Sequence, residues 1–203
     1  MNGDLLQNPI ILLGLIAGGL YLAKIWNDDR KSNLPGGLPG RTATTWRAVS
    51  IAVVGSLLIL AVEVIGESKL GLTDQQSKMT WLFALYSIIS APIIEELTFR
   101  GFLVVDNRGP SALWAGVIVA SLAFAVVHPF LWSWDDTGFE FTFTGKGFFS
   151  TSALFLSSLW WYFARFAKWN PSHSLLPCFA AHAAKNAGVV IVKAGSGYMS
   201  GLW

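Results

Sequence analysis

Residues 91–103 read APIIEELTFRGFL, and they lie within an apolar run that extends from Met79 to about Val105. Glu95, Glu96 and Arg100 thus interrupt a stretch long enough to cross a bilayer. On insertion scales an ionisable group at mid-membrane costs about 2.5 to 3.5 kcal/mol, so such residues mark work done inside the membrane. At about 100° per residue Glu96 and Arg100 share one helix face at spacing i, i+4, whereas Glu95 points away from both. Glu96 with Arg100 is expected to be a structural ion pair, because each offsets the other's desolvation and the guanidinium has donors to spare. Glu95 is left free, as a carboxylate that takes a proton from water must be. Pro92, three residues earlier, is expected to kink the helix.

Working outward, five further apolar segments of spanning length appear: about 9–26, 46–66, 111–131, 148–167 and 175–194. The expected fold is all-α, a polytopic transmembrane bundle of about six membrane-spanning helices. It is read as one integral membrane domain over 1–203, with an N-terminal helical pair at about 9–66 and a motif-bearing core at about 79–195. The first apolar run lacks a basic flank and is long enough to remain as an anchor. The connectors carry turn residues: LPGGLPG at 34–40, DNRGP at 106–110 and KWNPSHS at 168–174. A polar and aromatic loop at 132–147, with Phe139, Phe141 and Phe143 alternating, predicts a short hairpin or an interfacial cover.

Hydrophobic residues make up 53% of the 203 and charged residues only 13%, about half the charged share of a soluble domain. The net charge of +2 is spread without any Lys or Arg run, which excludes nucleic acid as a partner. The bilayer is the expected surrounding, and short loops favour a prokaryotic inner (cytoplasmic) membrane. Trp26, Trp46, Trp81, Trp132, Trp134, Trp169 and Trp203 fall near span ends, where interfacial aromatic belts form. Lys and Arg counted by alternate loops place both termini outside the cytoplasm. The single Cys178 rules out an intrachain disulfide and is expected to pack between helices.

Two more polar pairs stand out. The fourth span ends in FAVVHP, which puts Phe124 and His128 on one face, with His128 just before the helix-stopping Pro129. The sixth contains HAAKN, which puts His182 and Asn186 on one face at i, i+4. Three polar helices, the third, fourth and sixth, are thus expected to converge. A His with a carboxylate can activate a water, and His182 with Asn186 can donate to an oxyanion on an attacked carbonyl. One dimension does not close: at 1.5 Å per residue from their shared turn, Glu95 and His128 sit at unequal depths. His173 lies in a polar connector and is expected to be solvated, and Lys185 to snorkel or face a cavity.

Glu-Glu-x-x-x-Arg, Phe-x-x-x-His and His-x-x-x-Asn, in that order on successive helices, resemble the CPBP family. That family comprises type II CAAX prenyl endopeptidases and bacteriocin-processing or immunity proteins, also called the Abi family, of membrane-embedded glutamate-dependent proteases. All three motifs are intact, over about Pro92 to Asn186. The resemblance implies Glu95 with His128 as the water-activating pair and His182 with Asn186 at the oxyanion, with Glu96, Arg100 and Phe124 in support. It implies a membrane-anchored peptide or protein as substrate, either a prenylated CaaX tail or a leader or sorting peptide.

Other readings stay open at this point. His128, His182 and Glu95 would make a His₂Glu zinc site, although no HExxH helix accompanies them, and a route without cofactor is favoured. Every Asp lies in a loop or tail, which leaves no intramembrane aspartyl pair. Ser196 and Ser200 have no downstream histidine for a serine route. A non-catalytic immunity or binding protein, or a small ion-coupled transporter using Glu95 as a relay, is the alternative from another class.

Overall fold

The computed structural model describes residues 8–32, 36–135 and 138–203. The first seven residues, the start of the predicted 34–40 loop, and residues 136–137 of the aromatic loop lie outside the described residues. Helix α1 (Pro9–Ser32) starts behind Asn8, whose Oδ1 accepts from Ile10 N. Helix α2 (Trp46–Lys69) is capped by Thr45 and α3 (Trp81–Ile89) by Thr80, each side chain accepting from the backbone N–H three residues on. A five-residue helix α4 (Ala91–Glu95) leads into a π-helical stretch, Glu96–Phe102. Then follow α5 (Pro110–Val127), α6 (Gly145–Phe166) and α7 (Leu176–Gly195).

The bundle is the one expected, with a difference in how its spans are made. Among the described residues, four helical stretches are long and apolar enough to cross a membrane: Pro9–Ser32, Trp46–Lys69, Trp81–Phe102 and Pro110–Val127. The predicted fifth and sixth spans are α6 and α7, and their polar residues turn inward. Ser157, Ser158, Arg165, His182 and Lys185 are all buried. α7 packs against α2, α3 and α6, and α5 packs against α6.

The aromatic loop is a hairpin, β2 (Trp132–Asp135) antiparallel to β3 (Gly138–Phe141), with Phe139, Phe141 and Phe143 exposed. Residues 199–200 run parallel to 79–80, and Leu202 O accepts from Leu82 N, which ties the C-terminal segment to the start of α3. Trp26 departs from its interfacial expectation. It is buried, donates from Nε1 to Pro39 O at 3.1 Å, and meets Phe179 edge-on at 5.2 Å.

The break between α3 and α4 is the fold's main irregularity. Pro92 carries no N–H, so no backbone bond can run from it to the preceding turn, and the helix divides at Ser90. Ser90 Oγ instead donates to Ile16 O of α1 at 3.1 Å. Gly19 permits this approach: a Cβ there would lie 2.8 Å from Ser90 Cα. Gly19→Leu should therefore lower the melting temperature of the detergent-solubilised protein, at a cost of about 1 to 3 kcal/mol from overpacking. An unchanged melting temperature would mean that α1 does not dock on the break.

Candidate active site

Glu96 is the first residue of the π-helical stretch and is wholly buried, as is Arg100. The structure pairs them, with Arg100 Nη1 3.1 Å from Glu96 Oε1. Arg100 also donates from Nη2 to Ser158 Oγ on α6. Its guanidinium lies 4.4 Å from the ring centre of Phe124, 4.9 Å from Trp161 and 5.0 Å from Tyr162. An aromatic box of this kind stabilises a desolvated cation through the ring faces.

Glu96 Oε1 takes a second donor. His182 Nδ1 lies 2.8 Å from it, and a carboxylate already paired with Arg can only accept, so His182 donates from Nδ1. The other ring nitrogen, Nε2, faces Glu95 Oε2 at 3.8 Å, a gap suited to a bridging water. Glu95, expected to point away from Glu96 and Arg100, thus faces a residue on another helix, His182, which helix spacing does not foretell. The two glutamates reach opposite nitrogens of one imidazole, and they differ in exposure, 23% for the Glu95 side chain against 0% for Glu96. The imidazole itself lies flat on Trp161, with centroids 3.9 Å apart and planes at 16°. Trp161 is fixed in turn by donating from Nε1 to Ser56 Oγ of α2 at 2.8 Å.

The depth mismatch between Glu95 and His128 resolves through the connector. Residues 103–109 are not helical, and Val105 lies beside Gly116, one and a half turns into α5, so α5 begins well outside the level at which the π-helix ends. Phe99 and Phe124 then meet edge-on at 5.1 Å. With the chain antiparallel, stepping back four residues from Phe99 and forward four from Phe124 brings Glu95 and His128 to the same level. His128 Nδ1 donates to Phe124 O at 2.7 Å, which leaves Nε2 as the nitrogen open to the cavity.

Asn186 is half-buried one turn beyond His182, and its Nδ2 donates to Ser87 O at 2.7 Å, in the last turn before the break at Ser90. One of its two N–H groups is thereby held and the other remains. Glu95, His128, His182 and Asn186 all line one cavity of about 400 Å³, and Phe124 lies on the same wall. Glu96 and Arg100 stand behind it. Lys185 also faces this cavity, buried and paired with Glu63 of α2 at 2.8 Å, so it does not snorkel. His173 is exposed as expected, edge-on to Phe166. Among the described residues no three His, Cys, Asp or Glu side chains are grouped closely enough to hold a metal ion.

Sequence reasoning found the span that is α6 but not its part in the site. Ser158, Trp161 and Tyr162 hold the Arg100 and His182 groups in place, and the signal was present as a polar stripe, Ser158, Tyr162 and Arg165 at i, i+4, i+7, inside an apolar run. Glu63 was missed for another reason, since its partner lies on a helix remote in sequence.

Membrane-spanning helices that turn a carboxylate, two imidazoles and a carboxamide onto one otherwise largely apolar cavity define a polytopic integral membrane protein with a polar cluster in its interior. The profile of the family described as Type II CAAX prenyl endopeptidase Rce1-like matches residues 77–188, more than half of the chain, and the chain belongs to that family. The match spans all three motifs and supports a membrane protease. No curated protein and no solved structure matches the chain.

Replacing Arg100 by Met would leave the Glu96 charge buried beside only a histidine, so Arg100→Met should cost about 3 to 5 kcal/mol. Adding Glu96→Gln should restore part of that loss, because the charge is gone while a hydrogen bond to His182 remains. Thermal melts of the single and double variants check this, and strictly additive losses would mean that the pair is not coupled.

Proposed function

We propose that the protein is an intramembrane endopeptidase that hydrolyses a peptide bond in a membrane-anchored substrate, with Glu95 as the base. The observation that carries this reading is the convergence of Glu95, His128, His182 and Asn186 on one cavity. A water held between Glu95 and His128 loses a proton to the carboxylate as its oxygen attacks the substrate carbonyl carbon. The carbonyl oxygen becomes an oxyanion, which accepts from the second Asn186 N–H and from His182 Nε2–H. For Nε2 to donate, His182 must carry both protons. Glu96 holds Nδ1–H at 2.8 Å and so turns Nε2 toward the cavity. The tetrahedral intermediate then collapses, the carbon–nitrogen bond breaks, and the proton taken from water passes to the leaving amine, with Glu95 and His128 as its carriers.

The proposed route needs no metal, with the open Nε2 atoms of the two histidines used as a donor and a proton carrier; a zinc ion would compete for those same two nitrogens and for Glu95. Because the cavity lies between membrane helices, substrates tethered to the bilayer reach it most readily. A farnesylated CaaX peptide is the first to try.

The test is cleavage of that peptide by the detergent-purified full chain. Glu95→Gln should lower kcat by about 10²-fold or more and leave the melting temperature near that of the unaltered chain. Asn186→Ala should lower kcat by about 10²-fold with little change in KM, as expected for a donor used mainly in the transition state. Activity should survive EDTA. Activity lost on chelation and restored by zinc would replace this mechanism with the His₂Glu one, and a folded protein that cleaves none of a panel of CaaX, leader and sorting peptides would favour a binding or transport role.

A further inference from the structure

One face of α7 continues past the reacting groups. His182, Asn186, Val189 and Lys193 follow one another at i, i+4, i+7 and i+11, and all four line the same cavity. From Asn186 to Lys193 is seven residues, about 10.5 Å along the helix axis. An extended peptide advances about 3.3 to 3.6 Å per residue, so three residues cover about 10 Å.

The charges at that end are arranged to leave one cation unmatched. Lys185 is paired with Glu63. Lys146 is paired with Glu67, whose other oxygen accepts from Gln76 Nε2 at 2.6 Å. Lys193 makes no ion pair of its own: among the described residues its Nζ donates to Ser77 O at 2.5 Å, lies 5.8 Å from the Tyr198 ring centre, and shares the attraction of Glu67, already paired with Lys146, so these three groups carry one net positive charge. An ammonium has three N–H donors, so two remain on a half-buried cation at the cavity wall.

We propose that Lys193 binds the terminal carboxylate of the substrate, so that with the attacked carbonyl at His182 and Asn186 the site measures three residues to a free C-terminus. This rests on the endopeptidase reading and adds to it a specificity-determining residue. The ruler suits a tail whose lipidated cysteine is followed by three residues, the form of a CaaX end. A cut after the cysteine leaves three residues between the new break and Lys193. Amidation removes the charge that Lys193 meets, and extension moves it past the ammonium.

The test uses the full chain and three farnesylated peptides: the free acid with three residues after the cysteine, its C-terminal amide, and a free acid extended by two residues. Cleavage is read as kcat/KM, and binding is read separately as Kd on the Glu95→Gln protein, which needs no turnover. The unaltered chain should prefer the three-residue acid over the other two by on the order of tenfold in kcat/KM, with the same order in Kd. Lys193→Met should reduce that preference to about unity, with folding checked by thermal melt, and Lys193→Arg should retain most of it. Equal handling of acid and amide by the unaltered chain, or discrimination that persists in Lys193→Met, overturns the proposal. The two readings separate cleanly. Cleavage without discrimination sinks the Lys193 subsite alone, whereas discriminating Kd values with no cleavage of any peptide keep the subsite and sink the endopeptidase.

Discussion

One oxygen atom, Glu96 Oε1, organises the interior of this protein. It accepts from Arg100 within its own helix and from His182 on α7, in a place with no solvent exposure. A buried carboxylate is strongly unfavourable unless its partners are in place, and so is a buried guanidinium. Each therefore holds the other to one geometry. Arg100 extends that constraint to α6 through Ser158 and to α5 through the face of Phe124. His182 extends it to Trp161, and Trp161 to Ser56 of α2. Four helices and the π-stretch are locked by contacts that begin at a single charge. Dispersion alone gives little register here, since lipid tails are as apolar as the helices' outer faces.

That arrangement separates two glutamates that are adjacent in sequence. In a long regular helix Glu95 and Glu96 would diverge by about 100° and could not both reach one imidazole along similar paths. The helix breaks at Ser90, restarts for one turn, and widens into a π-turn at Glu96 itself. Widened turns of this kind are uncommon and recur at functional sites. Here the widening lets Glu96 take the inner nitrogen of His182 while Glu95, on the last regular turn, stays at the cavity wall near the outer nitrogen. One carboxylate serves as a fixed counter-charge and the other is free to meet water, a division of labour set by backbone shape.

Much of this was legible in the sequence. The Glu96–Arg100 pair follows from i, i+4 spacing in an apolar setting, and the convergence of the third, fourth and sixth spans follows from polar residues that a bilayer would otherwise expel. The alternating phenylalanines announced the hairpin. What could not be read were relations across space. No spacing rule links Lys185 to Glu63, or Trp161 to the face of His182, because each pair depends on the rotation of two helices about their own axes. The apparent depth conflict between Glu95 and His128 arose from treating 103–109 as a simple turn. It is a non-helical segment that sets the start of α5 apart, and such a segment leaves no periodic signal. Trp26 misled in the opposite way, since proximity to a span end says nothing about which side of the helix a ring occupies.

The lower apolarity of α6 and α7 has the same origin as the site. A helix that carries Ser, Arg, His, Lys and Asn is poorly suited to lipid on all faces, and it gains a place in a membrane bundle only by turning those residues inward. Once inward, they need partners, and partners supplied from α2, α3 and the π-stretch make a polar interior. That interior holds a cavity within the size range of small-ligand sites. Water within a bilayer needs hydrogen-bonding partners, and polar groups spaced along a mostly apolar cavity wall, from the Glu67–Lys146 pair to the Glu95 carboxylate, supply them. The same side chains that keep α6 and α7 from being simple anchors therefore gather the polar groups of this bundle around one cavity.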